Sequence, residues 1–169
     1  MKIILVRHGE TDWNLESRLM GQTDIPLNKH GIEQAHTLKD SLAGVEFDCC
    51  FSSPLLRAKE TADIIREDRN CDVVCDDLLM ERFGGKFEGQ VLDSWAEVTK
   101  DETAETSDQL LDRARNFFEK LKKTKCNAVL VVTHNGILKN LRHVIKGNTG
   151  PLDYHSDSFK NCEFEVYEI

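Results

Sequence analysis

Two apolar runs rich in β-branched residues mark the chain, Ile3-Ile4-Leu5-Val6 near its start and Ala128-Val129-Leu130-Val131-Val132 later on. Neither alternates polar with apolar positions, so each reads as a strand covered on both faces, as in the parallel sheets of α/β proteins. Phe47 to Phe51 reads as a further buried strand and Val73-Val74 as a short one. The alternating stretch Cys162 to Glu168 reads as a half-exposed edge strand. Between the strands the apolar period becomes helical. Asn28 as N-cap opens a helix to about Ala43, with Ile32, Ala35, Leu38 and Leu42 on one face and Gly44 as its stop. Ser53-Pro54 reads as the N-cap and first residue of a helix carrying Ala58, Thr61, Ala62 and Ile65, which puts Arg57 in its first turn. Ser107 caps a third helix bearing Leu110, Leu111, Ala114, Phe117, Phe118 and Leu121, and Ile137 to Ile145 forms a fourth, ended near Gly147.

Residues 76–103 carry three glycines (Gly84, Gly85, Gly89) and no steady period. A loop of that length in a compact domain is commonly functional. Strands alternating with helices predict an α/β fold, a three-layer α/β/α sandwich on a mostly parallel sheet, formed as one domain over residues 1–169.

Composition narrows the setting. With 40% hydrophobic residues among 169, and no apolar run near the roughly 20 residues of a membrane span, the chain is expected to bury one core and not to enter a bilayer. The opening apolar run ends at Arg7-His8, too soon for the core of an export signal, so the expected location is cytoplasmic. The six cysteines are then expected as reduced thiols. Cys71, Cys75 and Cys126 lack paired C-x-x-C spacing, and no glycine-rich phosphate loop or acidic cluster is present, so neither a metal nor a cofactor is expected. A formal charge of −8, from 22 basic and 30 acidic residues, argues against nucleic acid as partner. It leaves room for a small anion held by a local group of cations. No pattern specifies an oligomeric state.

The two buried strands each deliver a histidine, His8 and His134, at the carboxyl end, where open α/β sheets bind ligands. Arg7 adjoins the first, and Arg57 leaves the helix after another strand. Two guanidiniums and two imidazoles suit a tetrahedral dianion, since guanidinium forks bind phosphate oxygens in pairs. Such cations can neutralise phosphoryl oxygens in place of a metal, and a neutral imidazole can attack phosphorus. A proton donor for the leaving oxygen is also needed. Glu81 is the choice, with Glu88, Asp77 and Glu10 as alternatives. His30, His36, His143 and His155 read as structural, and Trp13 and Phe87 as packing near the mouth. Residues 92–106 and 147–161 are expected to wall the pocket.

Five blocks occur in order: Arg7-His8-Gly9-Glu10-Thr11-Asp12-Trp13-Asn14; Gly21 to Leu27 with Gly31 and Gln34-Ala35; Ser52 to Thr61; Glu81 through Glu88-Gly89; and Val132-Thr133-His134-Asn135-Gly136. Together they resemble the histidine phosphatase superfamily, also called phosphoglycerate mutase-like, across almost the whole chain. The resemblance implies that His8 is the phosphorylated nucleophile, and that Arg7, Arg57 and His134 form the phosphate pocket. It further implies Asn14 as a phosphate contact and Glu81 as acid and base. The spacing Glu81-x-x-x-Gly85-x-Phe87-Glu88-Gly89 looks more like the small phosphatases, such as α-ribazole phosphatase and fructose-bisphosphate phosphatases, than like the mutases.

Two positions depart from the pattern. Met20 stands where relatives place Gln, Ser or Thr, and a thioether donates no hydrogen bond, so that contact is expected to be absent or to come from Gln22 or Thr23. Asn135 takes the place of the usual glycine and adds a side chain at the mouth. The expected function is metal-independent hydrolysis of a small phosphomonoester through a phosphohistidine. The alternatives are mutase-type transfer back to a bound sugar acid, or a non-catalytic module that holds a phosphorylated ligand. The complete set of Arg7, His8, Arg57, Glu81 and His134 speaks against the last, because binding alone requires no proton donor.

Overall fold

The computed structural model describes residues 1–92, 97–149, 152 and 158–169. His155 and parts of both expected pocket walls (93–96, and 150–157 apart from 152) lie outside the described residues. Five strands form one sheet in the order β3-β2-β4-β1-β5. They are β1 (Lys2–Arg7), β2 (Cys49–Ser52), β3 (Val73–Cys75), β4 (Ala128–Thr133) and β5 (Phe164–Glu168). Every pairing is parallel except that of β5, which runs antiparallel to β1 at the sheet edge. The helices are α1 (Asp12–Leu15), α2 (Lys29–Ser41), α3 (Leu56–Arg66), α4 (Ser107–Lys122) and α5 (Asn135–Ile145), and the irregular stretch after β3 contains short 3₁₀ turns.

The unbroken apolar runs are explained by burial on both faces. Ile3, Leu5, Val129 and Val131 meet Leu110, Ala114 and Phe117 of α4 and Leu138 and Leu141 of α5. Ile4, Val6, Leu130 and Val132 meet Leu38 of α2 and Ala58, Ala62 and Ile65 of α3. Alternate residues of a strand point to opposite faces, so a central strand needs apolar residues at every position. The layers are therefore α4 and α5, the sheet, then α2 and α3.

Several boundaries differ from the sequence reading, among them the starts of β2 and β5 and those of three helices. Helix α3 begins at Leu56, two residues after Pro54, and Ser53 Oγ bonds His134 as well as receiving the Leu55 N–H. Helix α5 begins at Asn135, two residues ahead of the buried Ile137, with Asn135 Oδ1 receiving the Phe159 N–H and the Gly136 N–H taken by Glu81. Thr106, not Ser107, caps α4: its hydroxyl accepts the Gln109 N–H while the Gln109 side chain accepts the Thr106 N–H. No helix among the described residues is long and apolar enough to cross a membrane.

The expectation of six reduced thiols is corrected. Cys49 and Cys126, 77 residues apart, are joined as a disulfide with Cα atoms 6.0 Å apart. The parallel register puts Cys49 beside Val129, so residue 126 at the approach to β4 lies alongside the start of β2, a proximity no sequence spacing shows. Cys50, Cys71, Cys75 and Cys162 remain free. The bond lies at the amino ends of β2 and β4, away from the strand ends that carry His8 and His134. Denatured, unreduced protein should therefore titrate four thiols. Cys126→Ser should lower stability by roughly 2–4 kcal/mol while leaving kcat within about twofold of the parent. Six titratable thiols in freshly purified protein would overturn the assignment.

Candidate active site

The site is set by the pairing of β1 with β4. Arg7 is in register with Thr133, and the next residue's backbone N–H, that of His8, donates to the Thr133 carbonyl at 2.9 Å. His8 and His134 thus leave adjacent strands at one level, and their ring centroids lie 5.1 Å apart. Strand β2 lies on the other side of β4, and the Ser53 N–H donates to the Val132 carbonyl at 3.1 Å, bringing Ser53 beside His134.

Hydrogen bonds select the tautomer of each imidazole. His8 Nδ1 lies 2.6 Å from the Gly9 carbonyl, which can only accept, so the proton is assigned to Nδ1 and the Nε2 lone pair is left free. His134 Nδ1 accepts the Arg57 Nε–H at 3.2 Å, so its proton is assigned to Nε2, which donates to Ser53 Oγ at 2.8 Å. Both rings are buried. Burial first, then the charge of Arg57, holds each well below the ordinary histidine range, so both are neutral near pH 7.

Arg57 is fully buried, with Nη2 on the Gly21 carbonyl at 2.7 Å and Nη1 on the Thr23 carbonyl at 2.9 Å. Burial pulls it down to about 10, partly offset by the charges of Glu81, Asp24 and Glu88, so it stays a cation. Arg7 Nη1 donates to the Phe159 carbonyl at 2.6 Å, whereas Arg7 Nε is a buried donor without a partner among the described residues. Such a donor is costly to leave unpaired and favours an acceptor supplied by a ligand.

Glu81 sits at the end of a segment held by Arg113 of α4, whose guanidinium bonds the carbonyls of Leu78, Met80 and Glu81 and the Glu105 carboxylate. The Glu81 carboxylate accepts the Arg82 N–H at 2.8 Å and the Gly136 N–H at 3.1 Å. A Cβ on Gly136 would lie 2.3 Å from Glu81 Oε1, so the glycine makes room for the carboxylate against the start of α5. A cavity of about 250 Å³ is walled by Arg7, His8, Arg57 and Glu81 together with Trp13, Met20, Leu92 and Asn135.

Of the residues singled out in the sequence, Arg7, His8, Arg57, Glu81, Asn14 and Asn135 line this one cavity, with His134 in contact with Arg57. Asn14 Oδ1 receives the Thr11 N–H and the Asn161 Nδ2, leaving Asn14 Nδ2 as a donor with no partner among the described residues. Asn135 is tied to Phe159 through its Oδ1 at 3.1 Å. Gln22 and Thr23 are not brought to the cavity. The Gln22 side chain donates to the Glu81 carbonyl, and the Thr23 hydroxyl donates to Glu88. Met20 lines the wall, its sulfur 3.1 Å from the Thr11 hydroxyl. Among the other carboxylates considered, Glu10 receives the Asn28 side chain, and Glu88 and Asp77 are absent from the cavity lining.

The sequence reading missed Ser53, Arg113 and Asn161. Asn161 donates to the His8 carbonyl at 3.1 Å, and the Cys162 N–H reaches the carbonyls of Arg7 and His8. The adjacency of Asn161 to the edge strand that pairs with β1 is the one signal that could have pointed to it.

Two cations, two neutral imidazoles, a free amide donor and one carboxylate around a small cavity define a site equipped for phosphoryl transfer. Residues 3–169 match the profile of the histidine phosphatase superfamily (branch 1), and the chain belongs to that family. The uncharacterized phosphatase PhoE of Bacillus subtilis is 38% identical over 149 residues, 86% of this chain and 77% of that protein. The metal-independent phosphoserine phosphatase of Arabidopsis thaliana is 35% identical over 156 residues, 82% of this chain and 66% of the relative. The α-ribazole phosphatase structure from Shigella flexneri matches with a TM-score of 0.91 at 27% identity, covering 100% of this chain and 91% of that one. The fold is the phosphoglycerate mutase-like one that the sequence blocks implied.

The two neutral imidazoles have a consequence for stability. Below about pH 6.5 the unfolded chain protonates these histidines while the folded protein resists doing so, so stability falls as pH falls, by up to about 1.4 kcal/mol per pH unit for each ring. Denaturation midpoints in phosphate-free buffer should drop between pH 6.5 and 5.5, and His8→Asn should remove about half of that slope. A profile indifferent to pH in this window would mean that the rings titrate normally.

Proposed function

We propose that this chain hydrolyses a small phosphomonoester through a phosphohistidine on His8, without a metal ion. The observation that carries the reading is the bond from His8 Nδ1–H to the Gly9 carbonyl, which leaves Nε2 unprotonated in a cavity that also holds Arg7, Arg57 and Glu81. The phosphoryl oxygens would be met by Arg7, Arg57 and Asn14 Nδ2, and by His134 once its Nε2–H turns from Ser53 Oγ to the ligand. Nε2 attacks phosphorus as the ester P–O bond breaks, and protonated Glu81 gives its proton to the leaving oxygen. Water then attacks phosphorus, passing a proton back to the Glu81 carboxylate, while the N–P electron pair returns to Nε2 and phosphate departs. The Gly9 carbonyl steadies the imidazolium that forms in between, and the arginines neutralise the oxygens throughout.

Hydrolysis is favoured over mutase-type transfer because the similar proteins from Arabidopsis and Shigella are phosphatases, of phosphoserine and α-ribazole respectively. A small phosphomonoester is accordingly the proposed substrate class, with residues 1–169 as one catalytic domain. His8→Ala should retain the fold and lose turnover by at least roughly 10³-fold on a panel of sugar phosphates, phosphoglycerates, phosphoamino acids and nucleotides. Near-normal hydrolysis by that variant would sink the nucleophile assignment. Phosphoryl exchange between phosphoglycerates exceeding release of phosphate would favour the mutase. Glu81→Gln should slow alkyl phosphates by roughly 10²-fold or more yet affect p-nitrophenyl phosphate far less, since a nitrophenolate needs little protonation. Equal losses on both substrates would remove Glu81 from the acid role.

A further inference from the structure

We propose that Glu88, which does not touch the cavity, is a positioning residue that aims Arg57 at the phosphoryl group; this deepens the reading of the site given above. The guanidinium of Arg57 is oriented by two main-chain carbonyls, Gly21 on Nη2 and Thr23 on Nη1. Both belong to a loop between α1 and α2 that has no helix or strand to fix it. Main-chain bonds of Leu19 with Gly89 and Gln90 and the Leu56 N–H on Asp24 tie its flanks, and the Glu88 carboxylate holds the turn that carries the two carbonyls. Oε1 accepts the N–H groups of Gln22 at 2.8 Å and Gly84 at 2.9 Å, and Oε2 accepts the N–H of Thr23 at 2.9 Å and its hydroxyl at 2.6 Å.

Four donors on two oxygens leave the carboxylate committed to this structural bond set. They also explain the backbone beside it. Gly21 has a φ of +52°, and a Cβ there would fall 1.9 Å from Glu88 Oε1, so the carboxylate occupies the space that any other residue's side chain would need. The same loop reaches the acid side of the site, because Gln22 Nε2 donates to the Glu81 carbonyl at 3.0 Å. One carboxylate thus couples three things: the direction of the Arg57 fork, the contact of Arg57 Nε with His134 Nδ1, and the placement of the Glu81 main chain. An arginine fork displaced by a fraction of an ångström no longer meets phosphate oxygens in line, and misplacement near 1 Å can cost about 10²-fold.

Glu88→Gln keeps the shape but replaces one acceptor with an amide donor that opposes N–H groups of the loop. Affinity for inorganic phosphate, measured by calorimetry, should weaken roughly 10-fold, and kcat/KM for p-nitrophenyl phosphate should fall about 10–100-fold. In an Arg57→Lys background, which has no fork to aim, the same change should cost less than about threefold in either quantity. Thr23→Val removes only the hydroxyl donor and should weaken phosphate about threefold. Undiminished phosphate affinity in Glu88→Gln, or equal losses with and without Arg57, would overturn the positioning role. Should Glu88→Gln not fold, unchanged phosphate binding by Thr23→Val would overturn it instead. Phosphate binding does not depend on turnover, so parent protein that binds phosphate yet hydrolyses nothing would refute the proposed activity and leave this inference standing on the binding measurements.

Discussion

The parallel register of β1 on β4 is the constraint from which the rest of the site follows. Because Arg7 faces Thr133 across the ladder, the residues after them emerge side by side, and the main chain of His8 is bonded to that of Thr133. A slip of one residue would turn every side chain of β1 to the opposite face. The fully buried pairs Ile3/Leu5 and Ile4/Val6, each committed to a different helical layer, resist such a slip. The core therefore does more than stabilise the fold: it sets the distance between two imidazoles.

Around that pair the protein assembles charge by burial and then limits its freedom. Arg57 has no exposure to water, and its donors are directed by carbonyls and by an imidazole nitrogen. Glu81 is held by backbone N–H groups, one of them at the start of α5. Groups arranged in advance need little reorganisation when a dianion arrives, which is where electrostatic sites gain most of their effect. The same burial that encloses the site keeps both histidines neutral.

Much of this was legible in the sequence, for identifiable reasons. Unbroken apolar runs announced β1 and β4 because central strands must be apolar on both faces. His8 and His134 stood directly at their ends. Arg57 was placed in its helix's first turn even though that helix starts two residues later than Ser53-Pro54 suggests. What stayed hidden depends on long-range contact. Ser53 looks like a cap until His134 is beside it, Gln22 and Thr23 look like phosphate ligands until Glu88 claims the loop, and nothing in the spacing of Cys49 and Cys126 joins them. Asn161 lies in no motif, yet its amide reaches both the His8 main chain and Asn14.

The segment around Phe159, Asn161 and Cys162 bonds the side chain of Arg7 and the carbonyls of Arg7 and His8, more than 150 positions back along the chain. During synthesis, then, the first strand must wait for almost everything else before its reactive end is braced. A nascent polypeptide on the ribosome would carry His8 long before the clasp that steadies its main chain, so the bracing of that strand end is among the last contacts to form.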